Sequence, residues 1–126
     1  MQQKEYTYEI AHELPTLNEY INTERTSRYK AAKMKRVNTN MCAVWAGILP
    51  RLEGLFDVEI SWETENNRHD SDNIFFGVKF ILDGLVISQQ HKGSKLKDGR
   101  KNIRNISHKI ETTGKKNTTV KLIRVE

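Results

Sequence analysis

The chain has little cysteine, little proline and no long apolar run. Its one cysteine, Cys42, leaves no partner for an intramolecular disulfide. The four histidines (His12, His69, His91, His108) stand at no close ligand spacing from it, which argues against a structural zinc site. No segment approaches the ~20 apolar residues a helix needs to span a bilayer, so no membrane segment is expected. The first residues, "MQQKEYTYEI", carry charge where an export signal needs an apolar core, and the default expectation is cytoplasmic. With only Pro15 and Pro50, no repeat and no low-complexity linker, the 126 residues read as one domain, 1–126.

What the chain does have is positive charge. The formal net charge is +5, which suits an anionic partner, nucleic acid first among them. The distribution sharpens this. "RTSRYKAAKMKR" contains Arg25, Arg28, Lys30, Lys33, Lys35 and Arg36, and "HKGSKLKDGRKNIR" forms a second basic stretch from His91 to Arg104. Between them lies "HDSDNIFFGVKFILDGL", with three aspartates. An acidic cluster between basic segments can draw in a phosphate backbone and place a divalent metal against it.

Periodicity gives the expected elements. Tyr6, Tyr8 and Ile10 alternate as a strand stopped near Pro15, followed by a turn through "LPTLNEY". A long helix is predicted from about Thr26 to Leu49, basic in its first half and apolar (Met41, Val44, Trp45, Ile48) in its second. Phe56, Val58, Ile60 and Trp62 alternate as a second strand. Ile74, Val78, Ile81, Leu82 and Leu85 follow helical spacing, predicting a helix from about Asp70–Asp72 to Gly84. "VISQQHKGSKLKDGRK" reads as a long basic loop, and the last two strands, around Ile106–Ile110 and "TTVKLIRVE", are expected to pair as a hairpin. The order β-α-β-α-β-β predicts an α+β fold, a mixed sheet packed against two helices.

On an ideal helix Asp72, Lys79 and Asp83 fall within roughly 40° of one another, opposite the apolar stripe. They can be an ordinary polar face: Asp70 or Ser71 capping the helix, Asp72 favouring its positive end, and Lys79 pairing with Asp83. They can equally be part of a metal site. Asp83 lies about 16 Å from Asp72 along the axis, too far to share a metal, whereas Lys79 can lean back toward a phosphate held at the helix start. A further carboxylate must come from elsewhere, and Asp98 in "KDGRK" is the best donor unless it merely makes an Asp-Gly turn. Magnesium suits a few carboxylates completed by water and substrate phosphate.

Three stretches taken in order, "LPTLNEYINTERTSRYKAAKMK", "HDSDNIFFGVKFILDGLV" and "KDGRKNI", resemble the RusA-like Holliday-junction resolvases, particularly those of phages and prophages. The resemblance implies the RusA-like fold and a homodimeric, Mg²⁺-dependent endodeoxyribonuclease, with Mn²⁺ as a substitute, that resolves four-way DNA junctions by paired symmetric nicks in recombination and repair. It implies Asp70, Asp72 and Asp98 as metal ligands, Lys79 as the catalytic lysine, and Asp83 and Asn73 in secondary or structural places. The chain departs from the family pattern at Lys97, just before Asp98, and in a longer loop ahead of it. Arg25, Arg28, Lys30, Lys33, Lys35 and Arg36 would hold DNA arms by their phosphates. Two other readings stay open at this point: a non-catalytic module that binds junctions or duplex DNA, and a protein that binds structured RNA.

Overall fold

The computed structural model describes residues 4–125. In chain order the elements are β1 (Glu5–Ile10), α1 (Leu17–Thr26), α2 (Arg28–Ala46), β2 (Leu55–Thr64), α3 (Ser71–Phe75), α4 (Val78–His91), β3 (Ile103–Thr112) and β4 (Thr118–Val125). The four strands form one mixed sheet in the order β1-β4-β2-β3, with β4 antiparallel to both neighbours and β3 parallel to β2. The expected class, a mixed sheet packed against helices, is the class observed.

Alternation builds the core. Tyr6, Tyr8 and Ile10, then Phe56, Val58, Ile60 and Trp62, then Val120 and Leu122 turn one sheet face toward the helices. Cys42 and Ala46 of α2 and Phe80, Ile81 and Leu85 of α4 fill the space above it. The opposite face carries Glu5, Glu9 and Glu59.

Three expectations are corrected. The last two strands do not pair. β4, with buried Val120 and Leu122, takes a central place between β1 and β2, while the largely exposed β3 takes the edge. The "TTGKKN" turn instead crosses the end of β2, where Thr113 and Gly114 donate to the Thr64 carbonyl and Glu63 donates to that of Asn117. "LPTLNEY" is not a turn but the start of α1, set by a capping box: the Glu19 amide donates to the Thr16 hydroxyl, and the Glu19 carboxylate reaches back to the Thr16 amide. The predicted long helix is α2, which starts at Arg28 because Ser27 is extended, ends α1 and caps α2 by accepting from the Lys30 amide.

The third correction concerns the helix of the aspartate segment. It is broken at Phe76–Gly77 into a single turn, α3, and α4, which runs past Gly84 to His91 through residues read as loop. Gly77 lies against the sheet, where a Cβ would lie 3.0 Å from the Trp62 ring. Gly84 lies where α4 crosses α2: its missing Cβ would come within 2.6 Å of the Cys42 Cβ and 2.7 Å of the Ala43 amide nitrogen. That glycine is a helix–helix contact, not a terminator.

Candidate functional site

The loop after β2 delivers the aspartate pair. Asp70 is the extended N-cap residue of α3, but neither its carboxylate nor Ser71 makes the expected capping bond; its carbonyl accepts from the Asn73 and Ile74 amides. Among the described residues the Asp72 carboxylate accepts only the Asn73 amide, at 3.0 Å. Both aspartates are exposed, and among the described residues neither makes an ion pair. Two hard-oxygen groups therefore stand close in sequence with most of their acceptor capacity unused.

Asn73 explains how the turn is held. It is buried, its Oδ1 accepts the Asn18 amide at 2.9 Å, and its Nδ2 lies 3.2 Å from His69 Nδ1. One side chain thus ties the aspartate turn to the first turn of α1. Aromatic contacts brace the same junction, with Phe76 against Tyr20 at 5.3 Å and edge-on to Phe80, and Phe75 stacked on His108 at 4.2 Å. Trp62 donates its indole N–H to His108 Nδ1 at 3.0 Å, which requires that nitrogen unprotonated; burial likewise pushes the His108 pKa down.

The Lys79 side chain is exposed on the first turn of α4 and makes no hydrogen bond or ion pair among the described residues; in particular the expected pairing with Asp83 is not formed. Arg25, Arg28, Lys30, Lys33, Lys35 and Arg36 are all exposed, and none is neutralised by a carboxylate among the described residues. The end of α1 and the first half of α2 form a run of uncompensated positive charge.

Asp98 stands elsewhere. It precedes β3, whose start pairs with the start of β2 at Phe56↔Ile103, whereas Asp70 follows the other end of that pairing at Thr64↔Thr112. About eight register steps along β2 at ~3.3 Å put the two strand ends roughly 26 Å apart. Asp98 is not gathered with Asp70 and Asp72 into one cluster. Among the described residues no group of three or more His, Cys, Asp or Glu side chains could hold a metal ion together. Asp98 instead lines an open groove with Asp83, Lys35, Arg36, Val86, Ile87 and Gln90. The spacing argument separated Asp83 from Asp72, but it carried no information on this second grouping, which depends on the crossing of α2 and α4.

A second feature went unread in the sequence. A cavity of about 220 Å³ beside the aspartate turn is lined by Glu13, Glu19, Glu63, Glu65, His69 and Ile74 over Leu14 and Trp62. Lys116, from the β3–β4 turn, closes it with ion pairs to Glu13 at 3.3 Å and Glu65 at 3.2 Å. These residues come from four separate segments, and no local spacing links them.

The described residues include no helix long and apolar enough to cross a membrane. No protein-family model matches the chain, and no curated protein matches it.

Proposed function

We propose that the chain is a metal-dependent endodeoxyribonuclease that binds four-way DNA junctions as a homodimer and nicks two symmetry-related strands. The observation that carries this reading is the tie between Asn73 and Asn18: it makes the two uncommitted carboxylates, Asp70 and Asp72, part of one unit with the helix that leads into the unpaired cations. From Asn18 to Arg25 is about 10 Å of helix, a distance well within the reach of one DNA backbone.

The donor set fits magnesium, a hard cation that takes carboxylate oxygens from one or two residues and fills the rest of its shell with water and substrate phosphate. Asp70 and Asp72 are the residues to hold it, and Mn²⁺ suits the same oxygens. Bound there, the ion would supply a water of lowered pKa and neutralise charge on the phosphoryl oxygens. Asp98 lies outside this set in the same chain.

The protein's own side chains do the remaining work. Lys79, unpaired and exposed, sets a positive charge for the phosphoryl group where negative charge grows in the transition state. Arg25, Arg28, Lys30, Lys33, Lys35 and Arg36 hold duplex arms through phosphates, which gives affinity with little sequence information. Asn73 positions the aspartate turn without touching substrate. A two-fold dimer offers two such sites to a junction that has two related strands at its centre, and 5′-phosphate ends that a ligase can seal are the expected products.

The experiment is cleavage of a synthetic four-way junction, with a linear duplex of the same sequence alongside. Paired nicks in the junction with Mg²⁺, none with EDTA and little in the duplex is the expected pattern. A second reading, a non-catalytic junction- or duplex-binding module, draws on the separation of Asp98 from Asp70 and Asp72; tight binding with no cleavage in Mg²⁺ or Mn²⁺ would favour it. Structured RNA displacing the junction at equal concentration would turn the reading toward RNA.

A further inference from the structure

Helix α2 is built the wrong way round for a helix whose only neighbours are its own fold. Its buried positions are small, Ala31, Thr39, Cys42 and Ala46, while its larger apolar side chains face out. Val37, Met41, Val44 and Trp45, with Ile48 just past the helix cap, recur at helical spacing and are 42%, 39%, 77%, 39% and 78% exposed. With ~150–250 Å² available on a large aromatic side chain and less on the aliphatic ones, the five expose on the order of 500 Å² together. That lies toward the upper end of the patches soluble monomers leave uncovered and supplies more than half of the ~800 Å² each partner contributes to a standard interface.

Charge along the helix says what covers it. α2 carries no acidic residue; Arg28, Lys30, Lys33, Lys35 and Arg36 all lie in its first half, and no charged residue occurs between Arg36 and Arg51. A second copy laid parallel would set five cations against five. Laid antiparallel, with the axis near Val44, it joins the two uncharged halves, sends the basic halves to opposite ends and opposes the helix dipoles. Trp45 is already ordered for such a contact, because its indole N–H donates to His12 Nδ1 at 3.0 Å.

We infer that the outward face of α2 from Val37 to Ile48 is a self-association surface, on which two copies of this chain pair antiparallel about a two-fold axis near Val44. This deepens the homodimer of the proposed reading by naming its surface and orientation. Two basic arms then project from opposite ends of one dimer.

The test needs no DNA. Light scattering on the eluting protein at tens of micromolar should give twice the 14.7 kDa chain mass. A V44E/I48E double variant should elute at the single-chain mass and still unfold cooperatively, since both side chains are mostly exposed. In the wild-type background V44C should form a disulfide with its own copy under mild oxidation, while Y29C, about 22 Å along the helix from the axis, should not. Cys42 stays silent because it is buried and its thiol pKa is pushed up to about 12. A wild-type monomer would overturn the inference and the dimer of the reading together. A V44E/I48E variant that remains dimeric would overturn the surface alone, and Y29C cross-linking as readily as V44C would overturn the antiparallel orientation. None of these outcomes depends on whether the protein cleaves junctions.

Discussion

Replacing Gly84 with alanine sets two effects of opposite sign against each other. Glycine in a helix interior costs ~0.8–1.0 kcal/mol relative to alanine, so on propensity alone G84A stabilises the protein. The crossing of α2 and α4 reverses this. An added Cβ would lie 2.6 Å from the Cys42 Cβ, 2.7 Å from the Ala43 amide nitrogen and 2.9 Å from the Cys42 carbonyl carbon. Two of those three atoms are backbone, so the helices must separate, and overpacking of a tight core costs ~1–3 kcal/mol. The net expectation is a loss of about 1 kcal/mol, or a fall of roughly 4 °C in Tm for a domain of this size. Thermal and urea unfolding of G84A beside wild type measure it. G99A is the control, because a Cβ there meets nothing within 4 Å and the change should be close to neutral. A Tm for G84A equal to or above wild type would refute the close approach of the two helices.

Three other expectations follow from hydrogen bonds and protonation. N73A removes the acceptor of the Asn18 amide and the partner of His69, and should cost about 1 kcal/mol by urea denaturation. Q89L should cost more, roughly 2–4 kcal/mol, because the fully buried Gln89 accepts the Leu52 amide at 2.7 Å and donates to the Pro50 carbonyl at 2.9 Å, and leucine leaves both unpaired. Burial lowers the pKa of both His12 and His108, and each ring accepts a tryptophan N–H. The unfolded chain therefore binds more protons than the folded one in this window. The stabilisation is present above the ordinary histidine pKa of about 6.5 and is lost as pH falls below it toward the folded values. Unfolding midpoints between pH 8 and pH 5 should show that decline, and it should flatten in H108Q.

Strands β1, β2 and β4 were legible because alternation is local, and so were the start of the aspartate helix and the basic run of α2. What was not legible depended on contacts distant in sequence. A polar turn such as "TTGKKN" looks the same whether it joins neighbouring strands or crosses the end of a third, and only the demand for apolar residues at the sheet centre sends β4 there and β3 to the edge. Gly84 read as a terminator because a glycine's use as a contact point is visible only from the helix it touches. The capping box at Thr16 and Glu19 was a local signal present in the sequence, and it would have recovered α1. At the candidate site, spacing picks out the aspartate turn and Lys79 as candidates. The grouping of Asp98 with Asp83, Lys35 and Arg36 was not legible, since it depends on the crossing of α2 and α4.

If the proposal holds, Asp70 and Asp72 are a catalytic pair as well as the start of α3. The most direct measurement is D72N, compared with wild type for binding and for cleavage of the same four-way junction in Mg²⁺. The side chain is exposed and gives up only one hydrogen bond, to the adjacent amide, so folding should survive. Wild-type junction affinity with cleavage reduced by at least a hundredfold is the predicted result. Cleavage at the wild-type rate by a normally folded D72N would contradict the account.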